Sequence, residues 1–222
     1  MSDNHIVNIE DATIFHHFKT ILNNVNFQLK IGEFAYIIGE TGSGKSSLLR
    51  TIYSDIPLKM GKIIVDGQDI SNIKKNQLPY LRRKIGIIFQ DFQLLMDRSV
   101  KDNLRFVMKA TGWKGRKRID DEIKKLLLKV DMLDKADAFP HLISGGEQQR
   151  IAVARALIND PEIILADEPT GNLDPETSKK IMSLIKSVIS KEKTVIMATH
   201  DFEIINEFSG RIVKFNNKSI SE

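Results

Sequence analysis

The chain has 222 residues, 33 Lys and Arg against 29 Asp and Glu, a net charge of +4 and no cysteine. This length suits one domain with a substantial core, and the lack of cysteine excludes disulfides, thiolate catalysis and cysteine-ligated zinc. The cationic excess is small and spread along the chain, so it gives no electrostatic footprint for nucleic acid.

The start, MSDNHIVNIEDATIF, lacks the basic-then-apolar order of a secretory signal. No apolar run approaches the roughly 18 residues of a membrane-spanning helix. A soluble cytoplasmic protein is therefore expected, with any membrane association coming through a partner. Between residues 6 and 31 short alternating segments, such as Val25, Phe27, Leu29 and Ile31, predict an antiparallel sheet. Phe15 and Phe18 precede that segment, and each fits either a core position or an exposed aromatic available for stacking.

The continuous apolar run Phe34 to Ile38 predicts a buried parallel strand. It leads into Gly39 to Ser46, read GETGSGKS, which fits the P-loop pattern G-x-x-x-x-G-K-[ST]. Gly39, Gly42 and Gly44 allow turns that aim successive backbone N–H groups at one anion. Lys45 sets a point charge on the outer phosphates, and Ser46 offers a hydroxyl to Mg²⁺. The helix predicted from Ser47 to Ile52 turns its positive dipole end to the same oxygens, worth about 0.3–2 kcal/mol.

Gly61 to Val65 reads as a strand closed by the Asp66-Gly67 turn, Asn76 to Lys84 as a basic helix, and Ile85 to Phe89 as a second buried strand. Gln90 follows at the carboxyl edge, where α/β sheets place ligands. From Asp91 to about Asn159 helical periodicity takes over, as in Ile119, Ile123, Leu126, Leu127 and Val130. We expect a single domain, 1–222, with a catalytic core at 1–90 and 160–222 and a helical subdomain at 91–159.

Within that insertion Lys114 to Arg118 (KGRKR) reads as a solvated loop, or alternatively as a contact to anionic headgroups. Ser144, Gly145 and Gly146 open a helix predicted to reach Ile158. Ser144 with Glu147 forms the capping box S-x-x-E, although a glycine-rich helix start is also an anion site.

Strand and helix then alternate again. Ile163 to Ala166 is an apolar strand ending in Asp167 and Glu168, a Walker B arrangement in which Asp167 holds Mg²⁺ with Ser46, through water, and Glu168 polarises the attacking water. Asp174 N-caps a helix with Pro175 at its first position. Thr194 to Ala198 is a last core strand, followed by His200, placed to hydrogen-bond a γ-phosphate or orient Glu168, and a helix after Asp201. The fold class is α/β, a P-loop NTPase core with an antiparallel β subdomain and an inserted helical one.

Gly39 to Ser46, Gln90, ISGGE at Ile143 to Glu147, ILADE at Ile164 to Glu168, NLD at Asn172 to Asp174 and His200, in this order, make the chain resemble an ABC-transporter ATPase subunit along essentially its whole length. The resemblance implies ATP and Mg²⁺, with residues Gly39, Glu40, Thr41, Gly42, Ser43, Gly44, Lys45, Ser46 and Ser47 around the phosphates. It implies Ser46, Gln90 and Asp167 at the metal, and Lys45, Gln90, Glu168 and His200 in catalysis. Phe15, seven residues before Leu22, falls at the family's adenine-stacking position. The resemblance further implies a head-to-tail dimer, in which Ser144, Gly145, Gly146 and Glu147 act on the nucleotide of a second copy and Asp174 communicates between the two sites.

Three departures stand out. Glu147 replaces the usual signature glutamine, Phe15 the commoner tyrosine, and Glu40-Thr41 is an unusual pair inside the loop. GGEQQR at Gly145 to Arg150 and ADEPTGNLDP at Ala166 to Pro175 resemble the branch that drives mechanical work across a membrane without moving a substrate through it. Such a subunit would sit at the cytoplasmic face of the plasma membrane, held by an integral membrane partner, with Phe92, Leu94 and Leu95 either passing motion to that partner or filling the subdomain core. No direct nucleic-acid contact is expected.

Overall fold

The computed structural model describes residues 5–16, 18–190, 192–216 and 219–221. In chain order they form β1 (His5–His16), β2 (Lys19–Lys30), β3 (Phe34–Ile38), α1 (Lys45–Ile52), β4 (Met60–Val65), β5 (Gln68–Asp69), α2 (Leu78–Arg83), β6 (Ile85–Ile88), α3 (Val100–Ala110), α4 (Arg116–Lys129), α5 (Gly145–Ala156), β7 (Ile163–Asp167), α6 (Pro175–Val188), β8 (Thr194–Ala198), α7 (Phe202–Glu207), β9 (Arg211–Asn216) and β10 (Ser219–Ser221).

Two sheets result. β2, β1, β4 and β5 make an antiparallel sheet in that order, and the larger sheet runs β10-β9-β3-β8-β7-β6. In the larger sheet β6, β7, β8, β3 and β9 are parallel, with β10 antiparallel at the edge.

The parallel strands read as unbroken apolar runs because both faces are covered, and side-chain parity divides their residues between two cores. Tyr36, Ile38, Ile88, Ile164, Ala166, Val195 and Met197 join the core shared with α3 to α6. Ala35, Ile37, Ile163, Leu165, Ile196 and Ala198 join the core shared with the antiparallel sheet and α1. Each fully buried Leu or Ile contributes about 1.5–3 kcal/mol of transfer free energy. The large sheet is thus clamped from both sides, and its carboxyl edge stays fixed.

Between β6 and β7 the described residues contain helices and turns and no strand. Leu94 is buried in the helical core and Phe92 packs against it, whereas Leu95 and Met96 are exposed. Phe92 and Gln93 both have left-handed backbone, φ 58° and 49°, and the Arg155 guanidinium donates to both of their carbonyls. The KGRKR cluster is only half a loop, since Arg116 to Arg118 begin α4 and the Arg118 guanidinium lies 4.9 Å from the centre of the Trp113 ring.

A core place for Phe18 is ruled out: at the tip between β1 and β2 it is 100% exposed. The strand pair after α7 was not foreseen at all, although RIVKFN buries Val213 and Phe215 in alternation. Among the described residues no helix is long and apolar enough to cross a membrane.

Candidate active site

Parallel strands leave their carboxyl ends on one edge, and the register here aligns those ends. Ile37 pairs with Ala198, Ala198 with Asp167, and Ala166 with Ile88. The segments after β3, β8, β7 and β6 therefore emerge side by side, about 4.8 Å apart. They carry Gly39 to Ser46, His200, Glu168 and Gln90 in that order.

The loop after β3 is shaped by glycine. Gly42 and Gly44 are left-handed, with φ 81° and 103°, and a Cβ on Gly44 would come within 2.8 Å of the buried Leu22 side chain. Gly44 is also the N-cap of α1, so that helix begins with no side-chain cap and no acidic residue in its first turn. The Ser43 hydroxyl is buried and has no hydrogen-bond partner. Lys45 is 5% exposed, and its ammonium donates to the carbonyls of Gly39 and Glu40, at 2.8 and 3.2 Å. Donors are therefore concentrated here, with the exposed Glu40 of the loop itself and the carboxylates on the far side of the cleft as the nearby acidic groups.

That far side is the end of β7. The Ser46 hydroxyl donates to Asp167 Oδ1 at 2.9 Å. Burial pushes the Asp167 carboxyl above its ordinary value, the Ser46 hydrogen bond opposes the shift, and the neighbouring Glu168 charge adds to it. Glu168 has φ 47°, a left-handed conformation that costs a glutamate on the order of 1–3 kcal/mol. Two backbone bonds hold it there, Glu168 N–H to Ala198 O at 2.9 Å and Gly171 N–H to Glu168 O at 3.0 Å. The reversal aims its carboxylate back over the edge, 3.8 Å from Lys45 Nζ and 3.0 Å from His200 Nδ1.

Gln90 reaches the same edge, where it pairs with Asn172. Its amide donates to Asn172 Oδ1 at 3.2 Å, and Asn172 Nδ2 returns a bond to the Gln90 carbonyl at 3.0 Å. Asp174 N-caps α6 by accepting from Thr177 N–H at 3.0 Å, and hydrogen bonding from the Thr177 side chain, then from its N–H, holds the carboxyl below the usual range.

Ser144, Gly145, Gly146 and Glu147 lie elsewhere. Ser144 caps α5, and Glu147 Oε2 accepts from both the Ser144 N–H, at 2.8 Å, and the Ser144 hydroxyl, at 2.9 Å. Those bonds hold the Glu147 carboxyl below its ordinary value. A Cβ on Gly146 would meet the Thr177 methyl at 2.7 Å, so this helix start packs on α6. Among the described residues, the side-chain hydrogen bonds of Ser144 and Glu147 stay within the capping box and none reaches the P-loop.

Phe15 is half-buried at the end of β1, beneath the Lys59 ammonium at 5.6 Å, next to the cleft without lining it. A cleft of about 810 Å³ beside Gly39 to Ser43 is lined also by Thr20, Ile21, His200, Phe202, Lys214 and Phe215. Sequence reading missed Phe202, Lys214 and Phe215; the alternation in RIVKFN was the available signal. It also missed Gln149, fully buried on α5, because polar residues in a helix read as solvent-facing.

A phosphate chain fits this cradle. The Ser43 hydroxyl is orphaned, the start of α1 is uncapped, and Lys45 is held only by carbonyls and a distant carboxylate. A hard divalent cation fits the Ser46 hydroxyl with the Asp167 carboxylate, an oxygen pair whose buried charge lacks a counter-ion at bonding distance.

The profile of the ABC transporter family matches residues 22–171. The cell division ATP-binding protein FtsE of Escherichia coli K12 is 44% identical over 196 residues, covering 88% of this chain and 88% of the relative. The protein of that name from Bacillus subtilis 168 is 39% identical over 192 residues, 86% and 84% of the two chains. Among solved structures, a dimeric post-hydrolysis state of an ATP-binding cassette bound to ADP and Pi superposes with a TM-score of 0.87 at 32% identity, covering 97% of both chains.

Proposed function

Given that this chain belongs to the ABC transporter family, we propose that it binds and hydrolyses ATP as the motor subunit of a membrane complex of the FtsE kind. In that reading it is held at the cytoplasmic face of the membrane by an integral partner of the FtsX kind, and it acts on cell-wall hydrolysis during division. The observation that supports this most is the convergence of Lys45, Ser46, Asp167, Glu168 and His200 on one sheet edge, linked by Ser46–Asp167 at 2.9 Å, His200–Glu168 at 3.0 Å and Lys45–Glu168 at 3.8 Å.

The roles follow from that geometry. Backbone N–H groups of Gly39 to Ser47 cradle the phosphates, and Lys45 binds the outer ones without moving far, since its ammonium already sits over the loop. Ser46 and Asp167, with Gln90 swung in from Asn172, would hold Mg²⁺, whose chemistry is to neutralise charge developing on the phosphates. Glu168 accepts the proton of the attacking water, and His200, hydrogen-bonded to it, fixes its direction and reaches the γ-phosphate. A positioned base is worth about 10²–10⁴ in rate. Phe15 supplies the face on which adenine stacks.

The start of α5 is exposed at Ser144, and the hydrogen bonds of its capping box make no link to the P-loop of the same chain. Ser144 to Glu147 are therefore assigned to the nucleotide of a second copy in a head-to-tail dimer, with Asp174 at the boundary. The division into a core at 1–90 and 160–222 and a helical subdomain at 91–159 gives that boundary two sides that can move.

Glu168→Gln keeps the shape and removes the base. ATP should still bind and drive dimerisation, measured by size exclusion, while multiple-turnover phosphate release falls at least about 100-fold. Undiminished turnover would remove Glu168 from its role. Isolation of the tagged chain from detergent-solubilised membranes tests the partner: a four-helix protein with one large external domain supports the FtsX kind. Recovery with lipoprotein-handling subunits would transfer the chain to the related lipoprotein-release or efflux ATPases.

A further inference from the structure

Gln149 is the one fully buried carboxamide of α5, 0% exposed. Its Nε2 donates to Pro169 O at 2.6 Å and reaches Phe89 O at 3.5 Å. Pro169 follows Glu168, and Phe89 precedes Gln90. One side chain on the helix that begins at Ser144 therefore contacts the backbone on both sides of the site, next to Glu168 and next to Gln90.

The other end of the amide is more telling. Two carbonyl oxygens can be met only by the NH₂ group, so Oε1 is forced to the opposite side, where it is buried without a donor. An orphaned buried acceptor carries an uncompensated desolvation penalty, and a leucine of similar volume would pack there without it. The carboxamide therefore serves the two carbonyls at the expense of stability. Arg155, two turns further along α5, holds Phe92 and Gln93 in the same manner, so the loop after β6 is tied to α5 at two levels.

We propose that Gln149 is the positioning residue through which seating of the α5 N-terminus is transmitted to Glu168 and Gln90 of the same chain. When Ser144 to Glu147 engage the nucleotide of the second copy, a small displacement of α5 moves Pro169 and Phe89 together. The base of one site is then set only when the partner's site is filled. This rests on the reading of residues 144–147 as acting across a dimer.

The test is Gln149→Leu in the complex purified with its membrane partner. ATP hydrolysis should fall about tenfold in kcat with KM unchanged, the Hill coefficient for ATP should drop toward about 1 from a wild-type value that has 2 as its ceiling, and the melting temperature should hold or rise. In a Glu168→Gln background the same change should leave ATP-driven dimerisation intact. Gln149→Glu, which presents oxygens to both carbonyls, should lower kcat further than Leu.

Unchanged kcat and Hill coefficient in Gln149→Leu would overturn the proposal, as would loss of dimerisation, which would mark a purely structural prop. If Leu does not fold, Gln149→Met takes its place, and failure of both would make the residue structural. A wild-type complex with no cooperativity and full turnover in Ser144→Ala would instead sink the cross-dimer reading itself.

Discussion

Two helix starts in this molecule are built from similar residues and do opposite things. α1 begins on Gly44 with no side-chain cap, a buried orphaned hydroxyl at Ser43 and a lysine bound only to carbonyls and a distant carboxylate. α5 begins on Ser144 with the Ser144 and Glu147 N–H groups and the Ser144 hydroxyl engaged by a reciprocal capping box. The first has no side-chain cap, and the second has its Ser144 and Glu147 groups already paired with each other. A glycine-rich helix N-terminus is thus not enough to mark a primary anion site; what matters is whether the chain has already filled it.

The contrast can be broken most sharply at Gly44. Gly44→Ala puts a methyl into Leu22 at a left-handed φ of 103°, so nucleotide affinity measured by calorimetry should fall tenfold or more, about 1.4 kcal/mol or above. Unchanged affinity would show that α1 needs no such approach.

Asp167→Asn tests whether the ligand-free edge is under-compensated. Because burial raises the Asp167 carboxyl, its stabilising contribution is complete below the ordinary value and is lost as pH rises through the raised one. The ligand-free variant should melt roughly 2–4 °C higher than wild type at neutral pH, the shift expected for about 1 kcal/mol in a chain of this size. The gap should close as pH falls toward the ordinary carboxylate range, and the variant should lose stabilisation by Mg²⁺ with ATP. A lower melting temperature at neutral pH would contradict the assignment.

Ser144→Ala should cost about 1 kcal/mol of stability, leave ATP binding by the monomer unchanged and weaken dimerisation in the Glu168→Gln background. Loss of monomer binding would place α5 at its own chain's nucleotide. The capping box carries the opposite pH sign from Asp167: with the Glu147 carboxyl held low, its contribution is present above the ordinary value and disappears as pH drops through the lowered one.

The smallest effect is expected from Glu147→Gln. It keeps a capping acceptor and, on the proposed cross-dimer arrangement, removes one negative charge from beside the second copy's phosphates, so ATP-driven dimerisation should tighten by about two- to threefold, in line with a few tenths of a kcal/mol for an exposed charge. Weaker dimerisation would mean that the carboxylate itself contributes to the interface.

Much of this was legible in the chain. Phe34–Ile38, Ile163–Ala166 and Thr194–Ala198 read as strands because a sheet covered on both faces requires unbroken apolar runs, and the P-loop glycines announce their turn by spacing. What stayed hidden depends on neighbours distant in sequence. RIVKFN looks weakly apolar until β3 gives Val213 and Phe215 a core to enter. Gln149 looks like a surface residue until Phe89 and Pro169 are brought beside it. The left-handed backbone of Glu168 cannot be read from ILADEP, since it arises from the bond its N–H makes to Ala198 on another strand.

The placement of β3 between β8 and β9 has a consequence for biosynthesis. The strand that leads into the P-loop finds its partners at Thr194–Ala198 and Arg211–Asn216, more than 150 residues downstream. Such pairings of high contact order form late, after the entropy of closing a long loop has been overcome. On the ribosome, the phosphate cradle therefore waits for nearly the whole chain to emerge, and until then the apolar Phe34–Ile38 segment is the stretch a chaperone would have most reason to cover.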